Sequence, residues 1–205
     1  VTGERPPVRH VLLDADGVMQ DLPGGWRAAL DPFLGERSEE LLGALATDEQ
    51  ACLRGEPFLP VLDDLLGRLG VDVPAAELHA AVWERIAVAP GSVALVRELR
   101  ADGLGVHLAT NQNPERAAYM RQALGYGDLF DGAFYSCEMG AAKPEPAYFD
   151  AALAALGAAP DEVVLVDDST RNVDGARAVG LRAEHWHLDH GHDVLRGLLA
   201  AHRPG

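Results

Sequence analysis

The chain has 205 residues, 48% of them hydrophobic, enough to bury one sizeable core or a core carrying a smaller inserted unit. Its formal net charge of −15 at pH 7 repels phosphate backbones and anionic lipid, so neither nucleic acid nor a membrane surface is an expected partner. No apolar run approaches the length of a membrane span, and Val1 to His10 lacks the apolar segment of a signal peptide, so the expected location is cytoplasmic. Cys52 and Cys137 are the only cysteines; two free thiols are the simplest reading, with a disulfide as the alternative.

Taken in chain order, Val11-Leu12-Leu13 reads as a buried strand that ends at Asp14-Ala15-Asp16-Gly17-Val18. Two carboxylates at the end of a core strand are costly to desolvate, a cost that makes sense if a cation and a reaction occupy the site. From about Leu22 to Ala87 no convincing strand occurs. Helical spacing appears around Trp26-Leu30-Phe33, Leu41-Leu42-Leu45, Leu59 to Leu69 and Leu78-Val82-Ile86. Thr47-Asp48-Glu49-Gln50 fits a capping box and predicts a helix start there. The borders, Gly17 to Gly25 and Ala89-Pro90-Gly91, have the composition of hinges.

From Ser92 onward the pattern alternates. Ser92 suits the cap of a helix through Leu99, followed by a strand at Val106 to Ala109. Pro114 suits the first turn of a helix running to about Leu124, and Ala133-Phe134-Tyr135 reads as a short strand. Pro146 opens a helix through Leu156. Val163-Val164-Leu165-Val166 is the clearest strand, and a helix near Val173 to Val179 and a strand at Leu181 to Glu184 complete the pattern. The expected fold class is α/β: a three-layer Rossmann-like parallel sheet of about five strands, residues 1–20 plus 89–205, with an inserted helical cap at 21–88.

Parallel sheets bind ligands beyond the carboxyl ends of their strands. Four such ends carry polar groups here: Asp14 and Asp16; Thr110 and Asn111; Lys143 in Ala142-Lys143-Pro144-Glu145-Pro146; and Asp167, Asp168 and Ser169, with Asn172 one turn later. Asp14, Asp16, Asp167 and Asp168 supply hard oxygen ligands suited to Mg²⁺. Lys143 offers a point charge to a dianion, and the Thr110 hydroxyl can donate to phosphate oxygens; Asn111 is grouped with them, with a helix cap as its alternative role. One carboxylate can form an acyl-phosphate while a second protonates the leaving group and later activates water, and Asp14 and Asp16 fit those two roles. The second role requires a protonated Asp16 at the first step, so its pKa is expected to be raised by burial and neighbouring acids.

Together these segments resemble the four motifs of the haloacid dehalogenase-like hydrolases, in the right order and over nearly the whole chain. The helical stretch resembles the small cap inserted after the first motif in one branch. The resemblance implies Asp14 as nucleophile, Asp16 as general acid/base, and Thr110 and Lys143 as phosphate binders. It also implies Mg²⁺ held by Asp14, the backbone carbonyl of Asp16, and Asp168, with Asp167 supporting that shell. The expected activity is Mg²⁺-dependent hydrolysis of a small phosphorylated substrate by a monomer or homodimer. A sugar phosphomutase, a 2-haloacid dehalogenase (against which Asp16 argues) and a non-enzymatic binding module are the alternatives. Two departures stand out: Asn172 replaces a common further acid, and Val18-Met19 replaces the commoner Thr-Leu.

Several residues carry bland readings. His185, His187, His190 and His192 read as solvated or packed, not as a metal site. Trp26, Phe33 and Trp83 read as core of the insert, and Arg54 and Arg85 as exposed. Gln20, Asp21 and Trp26 lie nearest the first motif as possible substrate contacts.

Overall fold

Val11, Leu12 and Leu13 alternate between two apolar layers, which fixes this strand at the centre of a covered sheet. The computed structural model describes residues 6–202; residues 1–5 of the chain start read above lie outside them. The elements in order are β1 (His10–Leu13), β2 (Gln20–Asp21), α1 (Gly25–Leu34), α2 (Ser38–Asp48), α3 (Phe58–Leu69), α4 (Ala75–Val82), β3 (Ala87–Val88) and α5 (Pro90–Ala101). There follow β4 (Gly105–Thr110), α6 (Pro114–Ala123), α7 (Tyr126–Leu129), β5 (Gly132–Tyr135), α8 (Ser136–Met139) and α9 (Pro146–Leu156). Last come β6 (Val163–Asp167), α10 (Thr170–Ala178), β7 (Arg182–His185) and α11 (His192–Ala200). Short 3-10 turns link some of them.

Five strands form one parallel sheet in the order β5-β4-β1-β6-β7. Val11, Leu13, Val106, Leu108, Val164 and Val166 face one layer, where α5, α6 and α11 supply Leu95, Met120 and Leu195. Leu12, Ala109, Val163 and Leu165 face the other, against Tyr148 and Phe149 of α9 and Val173 of α10. Helices α1 to α4 bury Leu30, Leu41, Phe58, Leu62, Leu78 and Trp83 in a third, separate cluster. Among the described residues no helix is long and apolar enough to cross a membrane.

Several local expectations shift. The segment 21–88 does touch strands: β2 pairs antiparallel with β3, Gln20 opposite Val88 and Asp21 opposite Ala87, so the two borders are tied to each other. Ala89, not Ser92, occupies the cap of α5, because Pro90 fixes the first helical φ two residues earlier. The Ser92 hydroxyl instead donates to the Val18 carbonyl at 2.6 Å and sits 2.9 Å from His192 Nε2. Thr47-Asp48 closes α2 and starts nothing: the helix already runs from Ser38, and the Glu49 N–H still donates to the Leu45 carbonyl. Ile86 lies beyond the end of α4. Cys52 and Cys137 are both free thiols.

Candidate active site

Asp14 lies one residue past Leu13, which pairs with Leu108 of β4 on one side and Val166 of β6 on the other. Side chains at the ends of those two neighbours therefore meet it. The Asp14 carboxylate accepts from the Ala15 N–H at 2.7 Å and lies 3.0 Å from Lys143 Nζ. Lys143 is fully enclosed, and its ammonium also donates to Asp167 at 2.5 Å and to the Ala109 carbonyl at 2.7 Å. Asp167 is wholly buried and further accepts from the Ser169 N–H and from Asn172 Nδ2. The departure at Asn172 thus exchanges a repelling acid for a donor to Asp167.

Asp168 is exposed, and one of its oxygens and oxygens of Asp14 and Asp167 all lie within 4.8 Å of one another. Gly17 makes this approach feasible. Its φ is +73°, and a Cβ there would stand 2.7 Å from Asp168 Oδ2. Gly175 plays the matching part for the lysine loop, since a Cβ would stand 2.5 Å from the Pro144 Cβ. Asn111 holds that loop through both ends of its amide: Nδ2 donates to the Lys143 carbonyl and Oδ1 accepts the Lys143 N–H, each at 2.8 Å. Its side chain is committed to positioning Lys143. Thr110 is buried, and its hydroxyl accepts from Gln112 Nε2 at 3.1 Å.

Asp16 has its own set of partners. Arg116, 2% exposed on α6, meets both carboxylate oxygens, Nη1 at 2.5 Å and Nη2 at 2.8 Å. Gln20 and Gln112 each donate to it at 3.0 Å. Arg116 Nε donates to the Trp83 carbonyl at 2.8 Å, and the guanidinium stands 5.3 Å from the Trp26 ring, so one side chain joins α6, Asp16 and the helical segment.

These contacts set the charges. Burial pushes the Asp14 carboxyl well up, Lys143 pulls it back only partly, and Asp167 and Asp16 push it further. Burial would lower Lys143, but Asp14 and Asp167 more than offset it and keep the ammonium charged. The expectation for Asp16 is overturned: burial raises its carboxyl, but the Arg116 charge and the Arg116, Gln20 and Gln112 hydrogen bonds outweigh that and hold it below the usual carboxylate range. The acids adjacent in sequence were the wrong neighbours to weigh. Asp14, Asp16, Asp167 and Asp168 are four carboxyl groups paired with two cations, Lys143 and Arg116, and the raised Asp14 and Asp168 carboxyls express that imbalance, which a divalent cation among the oxygens of Asp14, Asp167 and Asp168 would relieve. Hard carboxylate oxygens fit Mg²⁺ by donor type. Among the described residues this is the group placed to hold a metal, and the C-terminal histidines do not form another. His185 instead bonds the Asp168 carbonyl, and His192 packs on Trp186.

Over Asp16 opens a cavity of about 340 Å³ between α2, α6 and the tryptophans of the helical segment. Glu49 lines it; burial pushes its carboxyl up, against smaller opposing effects of Asn113 and Arg116. Trp83 is buried and Trp26 half-buried, and both line the cavity. Asp21, Arg54 and Arg85 are exposed, and Arg54 pairs with Glu145.

A haloacid dehalogenase-like hydrolase pattern matches residues 8–180. The chain belongs to that family. As a haloacid dehalogenase-like hydrolase it is 30% identical over 128 residues to a sesquiterpene phosphatase of Aspergillus oryzae, covering 60% of this chain and 65% of that protein. It is 36% identical over 118 residues to a phosphoserine phosphatase of Thermus thermophilus, covering 56% and 47%. The chain thus matches less than two thirds of the length of each of these curated relatives. Its fold superposes on a haloacid dehalogenase family enzyme from Bacteroides thetaiotaomicron, solved in complex with magnesium and inorganic phosphate, with a TM-score of 0.75 at 23% identity over 87% of this chain and 93% of that one.

Sequence reasoning missed Arg116 and Gln112. Arg116 shares the inward face of α6 with Ala117 and Met120, so an arginine at helical spacing with two core residues was the available signal. Gln112 offered none, since it occupies an irregular loop after β4.

Proposed function

We propose that this hydrolase cleaves small phosphomonoesters through a phosphoryl-aspartate on Asp14, with Mg²⁺ as cofactor. The observation that carries the reading is the meeting of Asp14, Asp167 and Asp168, three carboxyl groups against the single ammonium of Lys143, at one strand-end site. The curated relatives named as phosphatases support it, and their names span alcohols as unlike as a sesquiterpene and serine.

In this reading Asp14 attacks phosphorus with the oxygen not engaged by Ala15 and Lys143, and the ester oxygen leaves on the side of Asp16. Lys143, 3.0 Å from Asp14, neutralises charge on the phosphoryl group as it arrives, and the Thr110 hydroxyl, with the loop that Asn111 holds, binds its oxygens. Asp14, Asp168 and the Asp16 main-chain carbonyl would hold Mg²⁺, which would supply electrophilic stabilisation of the phosphoryl oxygens, and Asp167 fixes Lys143 beside that position. Asp16, held ionised by Arg116, is set to take a proton from water in the second step. To protonate the leaving oxygen in the first, it must gain a proton as the substrate's dianion enters and opposes its own charge. Residues 21–88 act as a cap over the core of 1–20 and 89–205, hinged where β2 meets β3.

A panel of phosphorylated metabolites assayed with Mg²⁺, with an EDTA control and Asp14→Asn alongside, tests this. Phosphate release that needs both Mg²⁺ and Asp14 is the expected result. No release from any ester, or release unchanged by EDTA, overturns it.

A further inference from the structure

The cavity over Asp16 has a composition that narrows the alcohol half of the substrate. Trp26, Leu42, Leu45, Ala46, Leu53 and Trp83 form its apolar wall. Its only ionisable groups are Asp16, Arg116 and Glu49. Arg116 is the one cation, and it is spent: two of its nitrogens hold Asp16, one of those also donates to the Gln112 side-chain Oε1 at 3.1 Å, and Nε holds the Trp83 carbonyl. No positive group is left over for a second anion on the substrate, and Glu49 would oppose one. Asp16 lines it beside Asn111 and Gln112, on the side where the ester oxygen departs in the reading above.

Resting on the phosphomonoester reading above, we propose that the departing alcohol is an uncharged apolar one, aryl or alkyl, seated against the wall formed by Trp26, Leu42, Leu45 and Leu53, and that alcohols bearing a carboxylate or a second phosphate are excluded. The wall offers stacking and dispersion to such a group, and about 340 Å³ accommodates a ring or a short branched chain. Selection acts through what the cavity lacks, a free cation, as much as through what it provides.

The test compares esters that differ in the alcohol alone. Phenyl phosphate and prenyl phosphate are expected to exceed phosphoglycolate and 3-phosphoglycerate in kcat/KM by about tenfold or more. Ala46, exposed on α2 and lining the cavity, is the site to weaken that preference without disturbing a core: Ala46→Arg is expected to lower the ratio by about tenfold by supplying the missing charge. Binding of benzylphosphonate and of phosphonoacetate with Mg²⁺, followed by tryptophan fluorescence, reads the cavity without turnover. Tighter binding of benzylphosphonate is expected. Equal or tighter binding of phosphonoacetate, or carboxylate esters turned over as well as apolar ones, overturns the assignment while leaving hydrolysis intact. Preference for benzylphosphonate with no ester hydrolysed overturns the hydrolytic reading and leaves the apolar cavity standing.

Discussion

Arg116 grips both carboxylate oxygens of Asp16, at 2.5 and 2.8 Å, from a helix 100 residues further along the chain. The same guanidinium reaches the Trp83 carbonyl, so one side chain links the ionisation of Asp16 to the docking of the helical segment. In the mechanism proposed above, the acid that must donate a proton is thereby held as a carboxylate until substrate arrives.

Loss of that grip is expected to move the pH profile. Arg116→Gln removes the charge that lowers the Asp16 pKa, so the limb of kcat assigned to Asp16 should shift to higher pH, while Arg116→Lys should shift it less. Measured kcat against pH for the three proteins checks this. A limb that stays in place in Arg116→Gln assigns it to another group.

Lys143 gives a stability prediction. It is fully enclosed between Asp14 and Asp167, so Lys143→Met leaves two buried acids without their cation and should cost about 3–5 kcal/mol. Adding Asp167→Asn removes one of those charges and should recover part of the loss. Urea unfolding of the single and double variants measures both, and a double variant no more stable than the single contradicts the charge argument.

At the opposite end of the sheet, His107 lies 3.2 Å from His10 with Nδ1 unpaired, and burial, helped by the His10 charge, pushes its pKa down to about 4. The unfolded imidazole takes up a proton below about pH 6.5, the folded one only near 4. Between those values the unfolded state binds more protons, so this contribution to stability falls as pH drops through the window and levels off below it, by roughly 2–3 kcal/mol in all. Urea midpoints at pH 7 and pH 5 should differ less in His107→Leu than in the parent chain.

The sheet was legible because buried parallel strands are continuous apolar runs, as in Val163 to Val166, and because Pro114 and Pro146 mark helix starts. The pairing of Gln20–Asp21 with Ala87–Val88 was not: two-residue strands carry no period, and contact across the whole insert defines them. Asp14, Lys143, Asp167 and Asp168 were legible as a set because each lies at or beyond the carboxyl end of a strand of one sheet. The charge state of Asp16 was not, because local sequence showed only acids beside it and its controlling partner comes from α6. Thr47 to Gln50 illustrates the limit of a four-residue pattern, which fits a cap equally well inside the last turn of a running helix.

Acid-quenched turnover mixtures, digested and examined by mass spectrometry, test the central claim most directly. The expected result is a phosphoryl group on the peptide bearing Asp14, with turnover lost by about 10³-fold or more in Asp14→Asn. Hydrolysis at an unchanged rate in Asp14→Asn, with no phosphorylated peptide in the parent chain, would contradict it.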